Sequence, residues 1–226
     1  MFLLDFLFPP RTGEAVLREV EAHAFITKLS PLLVPVTRPP SVALLPYQDP
    51  VVRAAIHEAK YHGSERAFSL LAAVLADFLP EYLSETRFNL GGKRSNLVSL
   101  VPVPLGATRR RERGYNQVEE IARRALPALR SFSEVGPSLT INTSLLLRTR
   151  ETATQVSLER KAREENMRSA FTASLKLRSA STAAPDTLYI VLDDVLTTGA
   201  TLAACLDALV AAGIPRDQLI PIALAH

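Results

Sequence analysis

The stretch YIVLDDVLTTGATL, residues 189–202, decides the fold of this chain. Its first four residues are mostly apolar, as in a buried strand, and they lead directly into Asp193 and Asp194. A small, hydroxyl-rich turn with one glycine follows, and an apolar stretch typical of a helix comes after it. Two like charges at the end of a buried strand need compensation, so the pair indicates a binding site.

Length and composition limit the classes of protein that fit. The chain has 226 residues, 47% of them hydrophobic, which is enough for one domain with its own core and a small appendage. A formal net charge of +3 permits contact with anions such as phosphates or nucleic acid. The single cysteine, Cys205, excludes an internal disulfide and a multi-cysteine zinc site, and we expect it to be buried.

The N-terminus is apolar, but Asp5 interrupts it and two prolines end it. It is too short for a membrane span and lacks the basic segment of a signal peptide. We therefore expect a soluble cytoplasmic protein without a membrane span.

Strand-like apolar runs alternate with helical patterns along the chain, which predicts an α/β fold with a mostly parallel central sheet flanked by helices. The proline-rich residues 1–45, with a helix candidate at 14–28, predict an N-terminal extension packed on a main domain at 46–226. A basic turn is expected after the strand that ends near Pro104. Strands are predicted at 96–104, 145–147, 189–194 and 219–225, and helices are predicted at 49–63, after Ser64, from Asn116 and up to Gly213.

The turn after the acidic pair has the chemistry of a phosphate site. In an open parallel sheet, ligands bind at the carboxyl ends of the strands. The small side chains of residues 197–201 let successive N–H groups close around an anion, and the next helix adds its positive end. Carboxylates would repel that phosphate, so Asp193 and Asp194 are better suited to sugar hydroxyls or a divalent cation. The alternative, a capping aspartate, explains only one of the two.

The same motif resembles the signature of the type I phosphoribosyltransferases: an apolar strand, two acidic residues, two variable positions and a Thr/Ser-Thr-Gly-x-Thr turn. Three further segments are similar to the ComF family, the competence-associated branch of phosphoribosyltransferase-like proteins, over roughly residues 45–226. They are AAIHEAKYHG (54–63), VPVPLGATRRRERGYNQVEEIAR (101–123) and LLRTRETATQVSLERKAREENMRSAF (146–171). The resemblance implies the type I phosphoribosyltransferase fold with a small N-terminal hood.

One departure from the ComF pattern is plain. The family usually carries a four-cysteine zinc module after an opening similar to LLDFLFPPR (3–11), whereas this chain has no cysteine there. Zinc is therefore not expected.

The resemblance assigns roles to residues of the motif. It implies that Asp193 and Asp194 hold the ribose hydroxyls of phosphoribosyl pyrophosphate, with Mg²⁺ able to bind through them and the pyrophosphate. It also implies that the 5′-phosphate is wrapped by Thr197, Thr198, Gly199, Ala200 and Thr201.

Two basic segments complete the implied site, because guanidinium groups suit multidentate phosphate recognition. Arg113 and Arg150 are expected to act in catalysis. The pyrophosphate loop would comprise Val103, Pro104, Leu105, Gly106, Arg109 and Arg110, and the flexible loop would contribute Arg148, Thr152, Gln155 and Arg160. A segment with few apolar anchors can open and close over a ligand. The alternatives are a solvated charged surface and contact with a nucleic-acid backbone.

The implied reaction is transfer of ribose 5-phosphate to a nitrogenous acceptor with release of pyrophosphate. The first alternative is a ComF-type accessory in DNA uptake or DNA processing, with single-stranded DNA or competence-machinery proteins as partners. A second alternative is a regulatory protein that senses the sugar phosphate, and a homodimer is compatible with each function. Lys60 fits the family pattern without a chemical signal of its own, and no pattern identifies the acceptor base.

Overall fold

A computed structural model of the chain describes residues 11–86, 97–132, 137–149, 170–174 and 187–226. Within them, six strands form a central sheet in the order β1-β2-β8-β7-β3-β4, which is parallel except for the pairing of β1 with β2. Two short strands, β5 and β6, pair antiparallel beside it. The strands are β1 (Leu32–Val34), β2 (Ser41–Leu45), β3 (Leu97–Pro102), β4 (Ser138–Ile141), β5 (Leu146–Arg148), β6 (Phe171–Ala173), β7 (Thr187–Val195) and β8 (Leu219–Ala225).

Helices cover both faces of this sheet, as the alternation of apolar runs predicts. Along β7, Ile190 and Leu192 belong to one buried cluster, whereas Tyr189 and Val191 belong to the other. The first cluster is completed by α3, α4 and α6, and the second by α7 with β5 and β6. The helices are α1 (Thr12–Arg18), α2 (Ala22–Ile26), α3 (Pro50–Tyr61), α4 (Glu65–Thr86), α5 (Ala107–Arg113), α6 (Gln117–Phe132) and α7 (Ala200–Ala211).

The topology has a switch point between β3 and β7, which are neighbours in the sheet. From β3 the chain passes through α5 and α6 to β4 on one side, and from β7 it passes through α7 to β8 on the other. The loops after β3 and β7 therefore diverge and leave a crevice at their carboxyl ends, the usual place for a ligand in open α/β sheets.

Helix starts agree with the sequence where a capping residue marks them. The Asp49 carboxylate accepts hydrogen bonds from the N–H groups of Val51 and Val52 at the start of α3. The Asn116 side chain accepts from the N–H of Val118 at the start of α6. Glu119 stands three residues after Asn116, the spacing of a capping box, but its side chain pairs with Arg123 instead.

Two local predictions were wrong. The helix expected at residues 14–28 is divided into α1 and α2, and Arg66 donates to the carbonyls of Leu17 and Val20 at the break. The basic turn after β3 is the short helix α5, which ends at Gly114 with a φ of 77°. Gly114 supplies the left-handed residue on which helices commonly end, and four arginines lie on this single helix as a result.

The proline-rich N-terminal segment contributes β1 and β2, which the sequence did not predict. β2 is a fully buried strand of the central sheet and pairs with β8. The division of the chain at residue 45 stays a prediction.

Among the described residues, α4 is the helix that is long and apolar enough to cross a membrane by length and composition. Its side chains Leu71, Leu75 and Leu79 are fully buried in the protein core. The core helix of a soluble protein meets the same criterion, so length and hydropathy alone do not mark a span.

Position 199, immediately before α7, requires glycine for two reasons: its backbone conformation and the lack of room for a side chain. Its φ is 74°, and a Cβ there would lie 2.5 Å from Cγ2 of Val36, in the loop between β1 and β2. The glycine therefore lets the turn after β7 pack directly against this loop.

We expect Gly199→Ala to destabilise the protein more than Gly114→Ala. Both glycines have positive φ, which costs roughly 1–2 kcal/mol for a residue with a Cβ, but a Cβ at Gly114 meets nothing within 4 Å. The clash with Val36 adds at least about 1 kcal/mol. Urea unfolding measures both, and Val36→Ala should recover part of the loss. Equal losses in the two glycine variants would rule out the steric contribution.

Candidate functional site

A pocket of about 690 Å³ opens at the switch point, where β3 and β7 end. Its walls include both aspartates of the motif, residues of the loop after β3, and the turn after β7. The sequence placed these segments at strand ends, and the parallel pairing of β3 with β7 brings them into one cavity. The lining residues that were expected from the sequence are Val103, Pro104, Leu105, Arg109, Arg113, Arg148, Asp193, Asp194, Thr197 and Thr201.

Asp194 is the less exposed of the two aspartate residues, and two donors fix its carboxylate. Nε2 of Gln117 donates to its Oδ2 at 2.6 Å, and Nζ of Lys60 lies 3.1 Å from the same oxygen. Asp194 is 7% exposed, so these contacts replace water that the carboxylate has lost. Asp194 therefore holds α3 and α6 against the end of β7.

The network continues from Gln117 to the arginines of α5. A guanidinium N–H of Arg113 donates to Oε1 of Gln117 at 2.9 Å. Since the Gln117 amide accepts from Arg113 and donates to Asp194, its orientation is set from both sides. A continuous chain of hydrogen bonds thus joins the basic helix to the acidic pair.

The surroundings of Asp193 disfavour the ionised form of its carboxyl group. Its Oδ1 accepts a hydrogen bond from the backbone N–H of Asp194 at 2.9 Å. Burial of the carboxyl and the charge of Asp194 raise the pKa of Asp193 to about 7, although Lys60 and Arg148 act in the opposite direction. Negative charge at the pair is therefore incompletely compensated, and a hydroxyl donor or a cation beside Asp193 would relieve it.

The turn between β7 and α7 carries backbone donors at the edge of the pocket: Thr197 and Thr201 line the cavity, whereas Thr198, Gly199 and Ala200 are not among its lining residues. Within the described residues, the N–H groups of Thr197, Thr198 and Gly199 make no hydrogen bond to the protein. The N–H of Ala200 is 3.4 Å from Oγ1 of Thr198. Together with the N-terminus of the 12-residue helix α7, these groups suit an anion.

Two hydrogen bonds hold the start of the loop after β3 in place. The N–H of Val103 donates to the Leu192 carbonyl at 2.9 Å, and Nδ2 of Asn116 donates to the Val103 carbonyl at 2.9 Å. Arg109 lines the pocket and makes no ion pair within the described residues, whereas Arg110 pairs with Glu119 at 3.4 Å. The structure thus brings Arg109 and Arg113 to the pocket; Gly106 and Arg110 are not among its lining residues.

The expected flexible loop is described only at its base. Arg148, the last residue of β5, lines the pocket and places its guanidinium 5.1 Å from the Phe171 ring centroid. The other residues predicted in this loop, Arg150, Thr152, Gln155 and Arg160, lie outside the described residues.

Several pocket residues were missed or underrated by sequence reasoning. Gln117 was not singled out, and Lys60 gave no chemical signal. Tyr47, Gln48 and His226 also line the cavity, and the N–H of Tyr47 donates to the His226 carbonyl at 2.9 Å where β2 and β8 end. These residues reach the site only through strand pairing, so no local pattern marks them.

Cys205 is fully buried on α7, as expected, and burial raises the pKa of its thiol. A group of potential metal ligands lies at the C-terminal end of α3, with His57 and Glu58 on the helix and His62 just after it, and their ligand atoms are within 4.8 Å of one another. Arg11 neutralises Glu58 through a 3.0 Å contact. Arg11 would therefore compete with a metal ion for the Glu58 carboxylate.

No family profile matches this chain, and no curated protein matches its sequence. The function has to be inferred from the geometry of the site itself.

The acidic pair fits a divalent cation as well as it fits hydroxyls. Lys60 and Gln117 occupy Oδ2 of Asp194, and the backbone occupies Oδ1 of Asp193. Oδ1 of Asp194 and Oδ2 of Asp193 remain as hard oxygen ligands of the kind that Mg²⁺ prefers.

We expect Asp193→Asn to flatten the pH dependence of stability. A carboxyl with a raised folded-state pKa binds its proton more tightly when folded, so the free energy of unfolding falls as pH rises between 3.8 and about 7. Asparagine cannot ionise, so this decline should shrink. Urea unfolding across that pH range measures it, with the exposed Asp207→Asn on α7 as the matched control. An unchanged slope in Asp193→Asn would contradict the assignment.

Proposed function

We propose that this chain is a phosphoribosyltransferase-like protein with the type I fold, related to the ComF branch. It binds phosphoribosyl pyrophosphate and transfers ribose 5-phosphate to a nitrogenous acceptor with release of pyrophosphate. One observation carries the proposal. The acidic pair and the donor-rich turn at the end of β7 share a pocket of about 690 Å³ with Arg109 and Arg113 from the end of β3.

Each part of the pocket suits one part of the sugar phosphate. The N–H groups of residues 197–199 have no protein acceptor within the described residues and would bind the 5′-phosphate. Asp193 and Asp194 would accept hydrogen bonds from the ribose hydroxyls. Arg109 and Arg113 would pair with the pyrophosphate, for which planar guanidinium groups are well shaped.

Such a site would act by positioning and electrostatics. As the bond from C1 of the ribose to pyrophosphate breaks, negative charge grows on the leaving group and positive charge on the sugar ring. Arg109 and Arg113 stabilise the former, and the aspartates fix the ring while the acceptor nitrogen approaches. Asp193 and Asp194 would hold Mg²⁺, which would supply further charge neutralisation for the leaving pyrophosphate.

The pKa of Asp193 bears on the binding of the sugar. Near pH 7 the carboxyl is partly protonated in the free protein, and an approaching hydroxyl or Mg²⁺ favours its ionised form. Affinity for the sugar phosphate should therefore rise as pH increases through 7, since ionised Asp193 is the better acceptor.

We expect Asp193→Asn and Asp194→Asn each to weaken binding of phosphoribosyl pyrophosphate with Mg²⁺ by roughly tenfold or more, the effect of losing a charge-assisted hydrogen bond. Isothermal titration calorimetry measures the affinity. Asp207→Asn removes an equal charge from α7 outside the pocket and should leave the affinity unchanged. Unaltered affinity in both pocket variants would refute the assignment.

Turnover distinguishes an enzyme from a binding protein. We expect pyrophosphate release when the protein, Mg²⁺ and phosphoribosyl pyrophosphate are incubated with the correct member of a panel of nitrogenous bases. Arg113→Ala should slow the release strongly, because it removes a charge that stabilises the leaving group. Binding without release across the whole panel would instead favour a regulatory or accessory role.

A further inference from the structure

Two histidines and a glutamate lie together at the C-terminal end of α3. His57 and Glu58 belong to the helix, His62 follows it directly, and their ligand atoms are within 4.8 Å of one another. None of the three lines the pocket at the end of β7. The cluster is therefore separate from the proposed sugar-phosphate site, and its chemistry has to be considered independently.

The end of α3 brings the two histidines together. Residues five positions apart on a continuous helix lie about 140° apart around its axis, so they face different sides. Here α3 ends at Tyr61, His62 has a φ of −127°, and Gly63 follows with a φ of 60°. The chain turns at this point, and the ring centroids of His57 and His62 are 5.5 Å apart. Their pairing therefore depends on where the helix ends, and the spacing in the sequence does not reveal it.

Glu58 adds a carboxylate that has little access to water. The residue is 2% exposed. Arg11 donates to Oε2 at 3.0 and 3.3 Å, whereas Oε1 accepts no hydrogen bond within the described residues. Oε1 lies beside Gly13, where a Cβ would come within 2.8 Å of it. A buried carboxylate with one oxygen lacking a donor is costly, and a cation bound to that oxygen would reduce the cost.

The three donors suit a transition metal. Imidazole nitrogens are good ligands of Zn²⁺, whereas Mg²⁺ prefers oxygen ligands. The ligand atoms around a tetrahedral zinc ion are about 3.3 Å apart, and three protein ligands with one water complete such a site. Both imidazoles are exposed, so rotation of their side chains can bring the ligand atoms to this separation without movement of the backbone.

We propose that His57, Glu58 and His62 form a Zn²⁺ site at the C-terminal end of α3, with Oε1 of Glu58 as the oxygen ligand. The site contains no cysteine, so it differs in kind from the multi-cysteine zinc site that the composition excludes. The charge of Arg11 on the other carboxylate oxygen lowers the affinity for the metal. The proposal does not depend on what the pocket at the end of β7 binds.

Zinc bound there would stabilise the folded protein. The three ligands are close together only when α3 ends at Tyr61 and the chain turns at Gly63. A metal that binds this arrangement and not the unfolded chain raises the free energy of unfolding. The Tm should therefore rise with Zn²⁺ in the unmodified protein and not in His57→Ala.

Isothermal titration calorimetry with Zn²⁺ as the only ligand added tests the site, in a buffer with excess Mg²⁺ to occupy the acidic pair. We expect one Zn²⁺ to bind per chain, with NMR shifts of the His57 and His62 rings. Each alanine variant of these two should bind at least roughly tenfold more weakly, because even loss of an outer-shell partner has an effect of this size. His23→Ala, which removes an exposed imidazole from α2, is the matched control and should leave the affinity unchanged.

Three further variants test the carboxylate and the location of the metal. Glu58→Gln keeps the shape of the side chain without its charge and should also weaken binding at least roughly tenfold. Arg11→Ala removes the competing charge and should strengthen binding about threefold. Asp193→Asn should leave the zinc affinity unchanged. Unaltered affinity in Glu58→Gln, equal effects of His23→Ala and His57→Ala, or loss of zinc binding in Asp193→Asn would each overturn the proposal.

Discussion

The buried carboxylate of Asp194 is the constraint on which the rest of the site depends. A charge that is 7% exposed at the end of a central strand requires strong partners, and Lys60 and Gln117 supply them from two different helices. These contacts fix α3, α6 and β7 relative to one another at the open edge of the sheet. Removing either partner would leave Asp194 undercompensated, so the fold and the site are stabilised together.

That arrangement leaves Asp193 with the residual charge. Burial and the charge of Asp194 raise the pKa of Asp193 to about 7, and Oδ2 of Asp193 makes no hydrogen bond within the described residues. The pair thus has one structural and one receptive carboxylate. Lys60, which compensates the acidic pair, also lines a second cavity of about 770 Å³ together with Arg109 and Arg113.

Sequence patterns succeeded where chemistry is local. Asp49 and Asn116 mark helix starts because their side chains bond to N–H groups two residues later. The strand ending in Asp193 and Asp194 was recognisable from its apolar run. The sequence pattern failed at residues 14–28, where one helix was predicted and two are present. Arg66, which is distant in sequence, donates hydrogen bonds to two backbone carbonyls between these helices. Sequence patterns also failed at β2, a short strand that pairs with β1 and β8 and is buried by the core clusters on both faces of the sheet.

By itself, the sequence determined strands β3, β5, β7 and β8 with helices α3, α4, α6 and α7, the acidic pair and the donor-rich turn, since each depends on residues adjacent in the chain. Tertiary structure alone decided which residues surround them. Gln117 lies 77 residues from Asp194 in sequence, and Arg109 reaches the pocket because β3 pairs with β7. Such contacts follow from strand register and helix packing, in which every buried side chain takes part, and no single segment of sequence encodes them.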